Sequence, residues 1–274
     1  MEHIEITSYD DCLVSCLDEP SVDHWRVRTD DPEFLSAFID VLQEEDPVGK
    51  RIEWLCDQDV IKGLEKNFVR AAKASDLVTE STLTIRESTD AAPNTPTVLV
   101  SPERTVSLLP VGDREAVQID ITEEAACERL WEKYQSEWDI AMPHSIDTPP
   151  YSRLVTMAEQ KLGDGVGADI DTAYTAVESR SPDKQPEPVT VSLLVGAKHE
   201  LLLNDIVDWA ETSTLATQGT VSKLKQRLEE FDIIATESKS VGVGRPRQRL
   251  VFSDESMQSL PADELLAHVQ GVLA

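Results

Sequence analysis

Short apolar runs alternate with amphipathic stretches along the first 140 residues of the chain. This alternation is typical of mixed α/β structure, in which strands and helices follow one another. Seven runs predict strands, at residues 3–6, 24–28, 51–56, 83–87, 97–100, 105–110 and 116–119. Helical periodicity predicts one helix beginning at Asp31, a second at residues 60–74 and a third at residues 123–140. We therefore predict an α/β domain around a mixed sheet.

The pattern changes after residue 140. Residues 143–150 contain three prolines and no apolar periodicity, as a linker does. Residues 151–179 are again helical in pattern, with an interruption at the three glycines between 163 and 167. A helix end or hinge explains these glycines better than a phosphate-binding loop, because no strand precedes them and the dinucleotide fingerprint is missing. We expect two domains, residues 1–145 and residues 150–274.

Three helical stretches and two strands follow in quick succession near the C-terminus. The helices are predicted at residues 189–200, 202–211 and 217–231, and the strands at residues 233–237 and 249–252. Val221, Leu224, Leu228 and Phe231 recur at helical spacing and predict the buried stripe of the third helix. This order of elements is that of a winged helix-turn-helix.

The opposite face of the third helix carries small and polar residues first and basic residues further along. Thr217 is suited to the N-cap, and a recognition helix presents its first residues to base edges while Lys and Arg reach phosphates. A solvated helix face is the alternative. The candidate DNA contacts in this helix are Thr217, Gln218, Gly219, Thr220, Ser222, Lys223 and Arg227.

The loop between the two predicted strands is also basic. From residue 238 to 252 the chain has four basic side chains and no acidic one, namely Lys239, Arg245, Arg247 and Arg249. Residues 217–252 hold 7 basic and 4 acidic side chains, a net charge of +3, while the other 238 residues hold 18 and 48, a net charge of −30. A phosphate backbone is the partner that explains this contrast, so we predict binding of double-stranded DNA. Arg245 and Arg247 could contact phosphates or enter a minor groove.

The chain as a whole is strongly acidic. It has 25 Lys and Arg against 52 Asp and Glu, a net charge of −27, and a pI near 4.4. The acidic residues are spread along the whole chain, which suits a protein of a cytoplasm with molar salt, where charge repulsion is screened within roughly 3 Å. A specialised acidic interaction surface is the alternative. The chain opens with Met1-Glu2-His3 and has no apolar run of the roughly 18 residues needed to cross a bilayer, so we expect a cytoplasmic protein without membrane contact.

Three segments of the C-terminal half resemble haloarchaeal transcriptional regulators of the TbsP type. They are DIVDWAE at residues 205–211, TVSKLKQRLE at residues 220–229 and GRPRQRL at residues 244–250. The resemblance implies an archaeal regulator whose N-terminal half is similar to the degenerate phospholipase-D-like sensor domain of TrmB-type regulators. It also implies target genes in central carbon metabolism and a small, sugar-related metabolite as effector.

Catalysis is not expected. A phospholipase-D-like active site needs a Lys two positions after a His, whereas the five histidines are followed there by Glu5, Arg26, Ile146, Leu201 and Gln270. The four cysteines, at positions 12, 16, 56 and 127, do not have the spacing of a common zinc module, so no metal or cofactor is expected. A homodimer is expected because two half-sites give more specificity than one module. The competing functions are a protein-interaction adaptor that uses the winged helix without DNA, and a hydrolase.

Overall fold

Eight strands of the N-terminal half form one mixed sheet in the computed structural model. They are β1 (His3–Ser8), β2 (His24–Arg28), β3 (Arg51–Cys56), β4 (Leu83–Glu87), β5 (Thr97–Val100), β6 (Thr105–Gly112), β7 (Glu115–Ile121) and β8 (Met142–His144). Their order across the sheet is β1-β7-β6-β5-β2-β3-β4-β8. Among the described strands, β2–β3 and β3–β4 pair in parallel, and the other neighbours pair antiparallel.

The structure describes residues 3–45, 47, 49–88, 96–178, 185–239 and 247–273. The chain divides into two compact units, the first made of residues 1–66 and 73–147, the second of residues 67–72 and 148–274. No helix within the described ranges is long and apolar enough to cross a membrane.

All seven predicted strands are present, and the prediction of an α/β domain around a mixed sheet is confirmed. The linker predicted at residues 143–150 was wrong at its start, because β8 extends to His144. There Pro143 pairs with Arg86 of β4 at one end of the sheet. Proline is tolerated in a strand at the end of a sheet, since its missing N–H leaves no bond unmade on the open side.

Among its described residues the first unit contains five helices, α1 (Tyr9–Leu17), α2 (Pro32–Glu45), α3 (Gln58–Lys66), α4 (Phe68–Thr79) and α5 (Glu124–Ile140), of which α4 begins among residues grouped with the second unit. The single helix predicted at residues 60–74 is in fact α3 and α4. The break lies at Asn67, whose Oδ1 accepts a hydrogen bond from the backbone N–H of Arg70 at 3.2 Å. An Asn in this role begins a helix by satisfying a free N–H of its first turn.

Strands β2 and β3 are buried on both faces. Trp25, Val27, Ile52 and Trp54 belong to the apolar core, and between them the pleat directs Arg26 and Glu53 to the other face. The Arg26 Nε donates to Glu53 Oε2 at 2.9 Å, and both side chains are only 1% exposed.

Helix α5 covers this charged pair with aromatic rings. The Arg26 guanidinium lies 4.4 Å from the ring centroid of Trp131 and 5.4 Å from that of Trp138. Tyr134 and Trp138 of α5 are buried together with Leu55, Val98 and Val100 in one apolar cluster. The aromatic stripe of α5 is therefore part of the core.

The second unit is helical with one hairpin. It contains α6 (Tyr151–Leu162), α7 (Val166–Glu178), α8 (Pro188–Lys198), α9 (Leu203–Thr212), α10 (Gln218–Glu230), β9 (Ile234–Lys239), β10 (Arg247–Phe252), a 3₁₀ helix (Glu255–Ser259) and α11 (Ala262–Leu273). Strands β9 and β10 pair antiparallel. Trp209 of α9 is fully buried, and its indole N–H donates to the carbonyl of Leu154 in α6 at 3.2 Å. The predicted winged helix-turn-helix is confirmed.

Candidate nucleic-acid interface

Helix α10 begins with two side-chain caps. The Thr217 Oγ1 accepts the backbone N–H of Thr220 at 3.4 Å, and the Glu211 Oε1 accepts the backbone N–H of Gln218 at 3.0 Å. Thr214 adopts a left-handed φ of 64° in the turn between α9 and α10. The N-cap predicted at Thr217 is confirmed, whereas the role of Glu211 was missed. A Glu seven residues before the first turn of a helix gives no local signal of capping.

The two faces of α10 differ sharply in burial. Val221, Leu224 and Leu228 are buried as predicted, but the prediction for Phe231 was wrong, because its side chain is 44% exposed. Phe231 follows the last residue of α10 as its C-cap, and the chain turns away at Asp232 with a left-handed φ of 55°. Helical geometry therefore ends one residue before Phe231, so its side chain does not join the buried stripe.

The seven candidate contacts of α10 are all exposed and lie together at its start and along its open face, namely Thr217, Gln218, Gly219, Thr220, Ser222, Lys223 and Arg227. Within the described part of the chain, Lys223 and Arg227 form no ion pair. Lys225, by contrast, pairs with Glu229 at 2.7 Å. Two cations of this helix therefore face solvent with their charge uncompensated.

The hairpin of β9 and β10 forms the base of the wing. Its register places Arg247 opposite Lys239, so two basic residues pair at the outer end of the described hairpin. Arg247 is exposed. Arg245 and the rest of residues 240–246 lie outside the described residues.

Arg249 is placed differently from the other candidates. Its guanidinium binds Glu200 and Glu237, each at 2.5 Å, and its side chain is 24% exposed. Glu237 lies opposite Arg249 in the hairpin, but no local pattern indicates Glu200, which is 49 positions away along the chain. Contact between Arg249 and a phosphate would require at least one of these ion pairs to open.

A wide groove of about 730 Å³ lies beside the start of α10. Its walls include the carboxylates Glu187 and Glu211 together with Thr214, Thr217 and Thr220. The Glu211 carboxylate accepts the first N–H of α10 and offsets the partial positive charge of the helix N-terminus, so this end of the helix is not a free anion site. The exposed cations of α10, Lys223 and Arg227, lie further along the helix.

The glycine segment at residues 163–167 ends one helix and begins another. Gly163 and Gly165 have φ values of 122° and 81°, which glycine tolerates and other residues rarely adopt. The carboxylate of Glu159 accepts the backbone N–H groups of Gly165 and Gly167 at 2.8 and 2.9 Å. An acidic side chain thus occupies the place that a bound phosphate would need.

The four cysteines are free and buried. No group of three or more His, Cys, Asp or Glu side chains that could hold a metal ion occurs within the described ranges. The described histidine side chains that bind carboxylates do so singly, as in His24 with Glu53 at 3.1 Å and His199 with Asp169 at 2.7 Å.

Two family models match the chain and together span nearly all of it. Residues 3–149 match the model described as "Transcriptional regulator TbsP-like, N-terminal", and residues 150–270 match "Transcriptional regulator TbsP-like, C-terminal HTH domain". No curated protein matches the sequence.

Two solved structures have a distant likeness to it. TrmBL2, described as an archaeal chromatin protein with a novel mode of DNA binding, is 16% identical with a TM-score of 0.37, over 52% of this chain and 54% of its own. Nuc from Salmonella typhimurium, a phospholipase D family member, is 10% identical with a TM-score of 0.37, over 53% of this chain and 99% of its own. The match thus spans about half the length of the TrmBL2 chain.

The family match extends well beyond the three short segments of the C-terminal half that resemble TbsP-type regulators. The N-terminal model alone covers more than half of the chain, and the helix-turn-helix model covers most of the rest. The chain belongs to the TbsP-like family of helix-turn-helix transcriptional regulators.

Proposed function

We propose that this regulator binds double-stranded DNA sequence-specifically, with α10 in the major groove and the wing of β9 and β10 on the flanking backbone. The observation that carries the proposal is the open face of α10, where Lys223 and Arg227 are exposed without ion pairs to any described residue. In a chain with a net charge of −27, two such cations beside small polar side chains fit a polyanionic partner.

The order of side chains along α10 assigns their roles. Gln218 and Thr220, at the start of the helix, would contact base edges, because an amide or hydroxyl can both donate and accept in the major groove. Ser222 lies next along the same open face. Lys223 and Arg227 would bind phosphates and fix the register of the helix. Gly219 would let the backbone approach the DNA closely, since no side chain separates them.

The wing would add a second contact. Arg247 is exposed at the outer end of the described hairpin, opposite Lys239 in register. Arg245, which lies outside the described residues, is proposed to act with them, on phosphates or in a minor groove.

The salt concentration at which this protein works would determine which contacts supply its affinity for DNA. The excess of acidic residues favours a protein that works in a cytoplasm of molar salt, where release of counterions contributes little to affinity. Base contacts by α10 should therefore contribute a larger share of the binding free energy than they do in a regulator that works in dilute salt. We also propose a homodimer that reads two half-sites, because a single module of this size gives limited specificity.

The resemblance to TbsP-type regulators supports two further proposals. The target genes would belong to central carbon metabolism, and the N-terminal unit would respond to a small metabolite. Both proposals concern the same regulator and need no catalytic step.

Selection from random DNA duplexes tests the proposal. The full chain would be mixed with a random library in molar KCl, and bound duplexes would be sequenced. We expect enrichment of a sequence with two related half-sites. An adaptor that uses the winged helix without DNA would enrich none, and that result would refute the proposed function.

A further inference from the structure

Arg249 lies where three segments of backbone meet. It pairs with Glu237 of β9 in the hairpin register and forms a bridge to Leu202 on its other side. The next residue, Leu250, donates its backbone N–H to the carbonyl of Leu201 at 2.9 Å. Arg249 is therefore at the base of the wing, between the hairpin and the segment that leads into α9.

The guanidinium of Arg249 is held by carboxylates from both neighbouring segments. Its Nη1 donates to Glu200 Oε2 and its Nη2 to Glu237 Oε2, each at 2.5 Å. The hydrogen bond that Arg249 donates to the Glu237 carboxylate raises the pKa of Arg249 above its ordinary value. Two carboxylates around one guanidinium leave a local charge of about −1, which repels a phosphate instead of attracting it.

The segment that supplies Glu200 is itself constrained. Glu200 has a left-handed φ of 50°, a conformation that residues other than glycine seldom adopt. It follows the C-cap of α8, whereas Glu237 and Arg249 belong to the two strands of the wing. The Arg249 side chain thus joins both strands of the wing to a segment 49 positions earlier in the chain.

We infer that Arg249 is a positioning residue, which fixes the angle of the wing through Glu200 and Glu237 so that Arg247 reaches the DNA backbone. The inference rests on the proposed DNA binding and deepens it. Arg247, two residues nearer the tip, is exposed and has no ion pair with any residue in the described ranges. Arg247 and Arg249 lie on the same face of β10 but have different roles, since Arg247 contacts DNA and Arg249 positions the wing.

Replacing Glu200 or Glu237 with Gln should change DNA affinity in opposite directions under the two roles. The direction of that change therefore distinguishes positioning from direct contact. If Arg249 bound DNA, Glu237→Gln and Glu200→Gln would free its guanidinium and remove a charge that repels phosphate, so both variants would bind DNA more tightly. If Arg249 positions the wing, both variants should bind about tenfold more weakly, the cost of one lost contact. Glu230→Gln, which removes an exposed carboxylate at the end of α10, is the matched control for net charge.

The experiment measures affinity of the full chain for a duplex enriched in the selection, at a fixed KCl concentration, with thermal unfolding recorded for each variant. We expect weaker binding by Glu237→Gln and by Glu200→Gln, and no further loss when Glu237→Gln is added to Arg249→Ala. We also expect Arg249→Ala to have little effect once Arg247 is already Ala, since it acts through that residue. Unchanged or tighter binding by both Gln variants, with wild-type binding intact, would overturn the inference alone. Absence of binding by the wild-type chain would overturn the proposed function and the inference with it.

Discussion

Single side chains decide whether α10 is a recognition helix or an ordinary solvated one. Lys223, Lys225 and Arg227 are neighbours in sequence, yet Lys225 is paired with Glu229 while the other two are open to solvent. The sequence predicted Lys223 and Arg227 as contacts because they lie opposite the apolar stripe. The prediction did not include the ion pair of Lys225, because it rested on the hydrophobic stripe and not on the i,i+4 spacing of Lys225 and Glu229, which favours this ion pair.

Replacement of Lys223 by Ala should weaken DNA binding and reduce its dependence on salt. Each phosphate contact that is lost lowers the slope of log affinity against log salt by about one. Titrations of an enriched duplex at several KCl concentrations measure this slope. Lys225→Ala is the control, and equal changes of slope in the two variants would contradict the assignment.

Gly219 offers a test in which stability and binding move in opposite directions. A Cβ at this position would be 3.7 Å from its nearest neighbour, Thr217 Oγ1, so the protein itself has room for a methyl group. Gly219→Ala should stabilise the chain by up to about 1 kcal/mol, because Ala favours the helix. If the helix backbone approaches DNA here, the same variant should bind more weakly. Thermal unfolding and DNA titration of one preparation measure both, and unchanged binding would contradict close approach.

Glu53 should make the first unit sensitive to acid. Burial alone would raise the pKa of its carboxyl, but hydrogen bonds from His24 and Arg26 outweigh burial and lower the pKa to about 2. Because the folded value lies below the ordinary 4.5, the carboxylate stabilises the fold fully above about pH 4.5 and progressively less as the pH falls towards 2.

Glu53→Gln should remove that part of the pH dependence. It should also destabilise the protein at neutral pH by about 3 kcal/mol, since Arg26 would stay buried without a counter-charge. Urea unfolding between pH 2 and pH 7 measures both effects. Glu128→Gln, exposed on α5, is the matched control, and the same pH profile in both variants would contradict this account.

At the scale of elements, the periodicity of apolar residues predicted strands and helices well where one face is buried and the other is solvated. It failed where a polar residue caps the start of a new helix, as at Asn67, or where a short strand has no alternation, as in β8. It also failed at Phe231, where the helix ends within the apolar stripe. Each failure depends on a contact between distant or capping atoms, which local periodicity does not encode.

Helices α6 and α7 depend on a glycine for their close approach. A Cβ on Gly167 would lie 2.8 Å from the Val155 carbonyl oxygen and 2.9 Å from Glu159 Cβ, so backbone would have to move. Gly167→Ala should therefore destabilise the chain by about 1–3 kcal/mol. Gly63→Ala in α3 is the control, because no atom lies within 4 Å of its Cβ and Ala favours the helix. Thermal unfolding compares the two, and stabilisation by both variants would refute the tight approach of α6 and α7.

For the whole molecule, the main contrast is between a strongly acidic chain and one locally basic segment. Composition alone predicted an acidic surface, and residues 217–252 alone predicted an anionic partner. The structure adds how that charge is arranged. Arg249 and Lys225 are neutralised within the second unit, and Lys223, Arg227 and Arg247 are left exposed. Sequence spacing favours the pairing of Lys225, whose partner Glu229 is four residues along the same helix, but it does not identify Glu200 as a partner of Arg249, because the two are 49 positions apart.

The most direct test of the central claim is a genome-wide map of DNA occupancy in cells grown at high salt, with wild-type protein and with Lys223→Ala combined with Arg227→Ala. We predict discrete sites that share one sequence for the wild type, and loss of those sites in the double variant at equal protein level and equal thermal stability. Occupancy without a shared sequence, or sites that survive the double substitution, would contradict the assignment of α10 as the recognition helix.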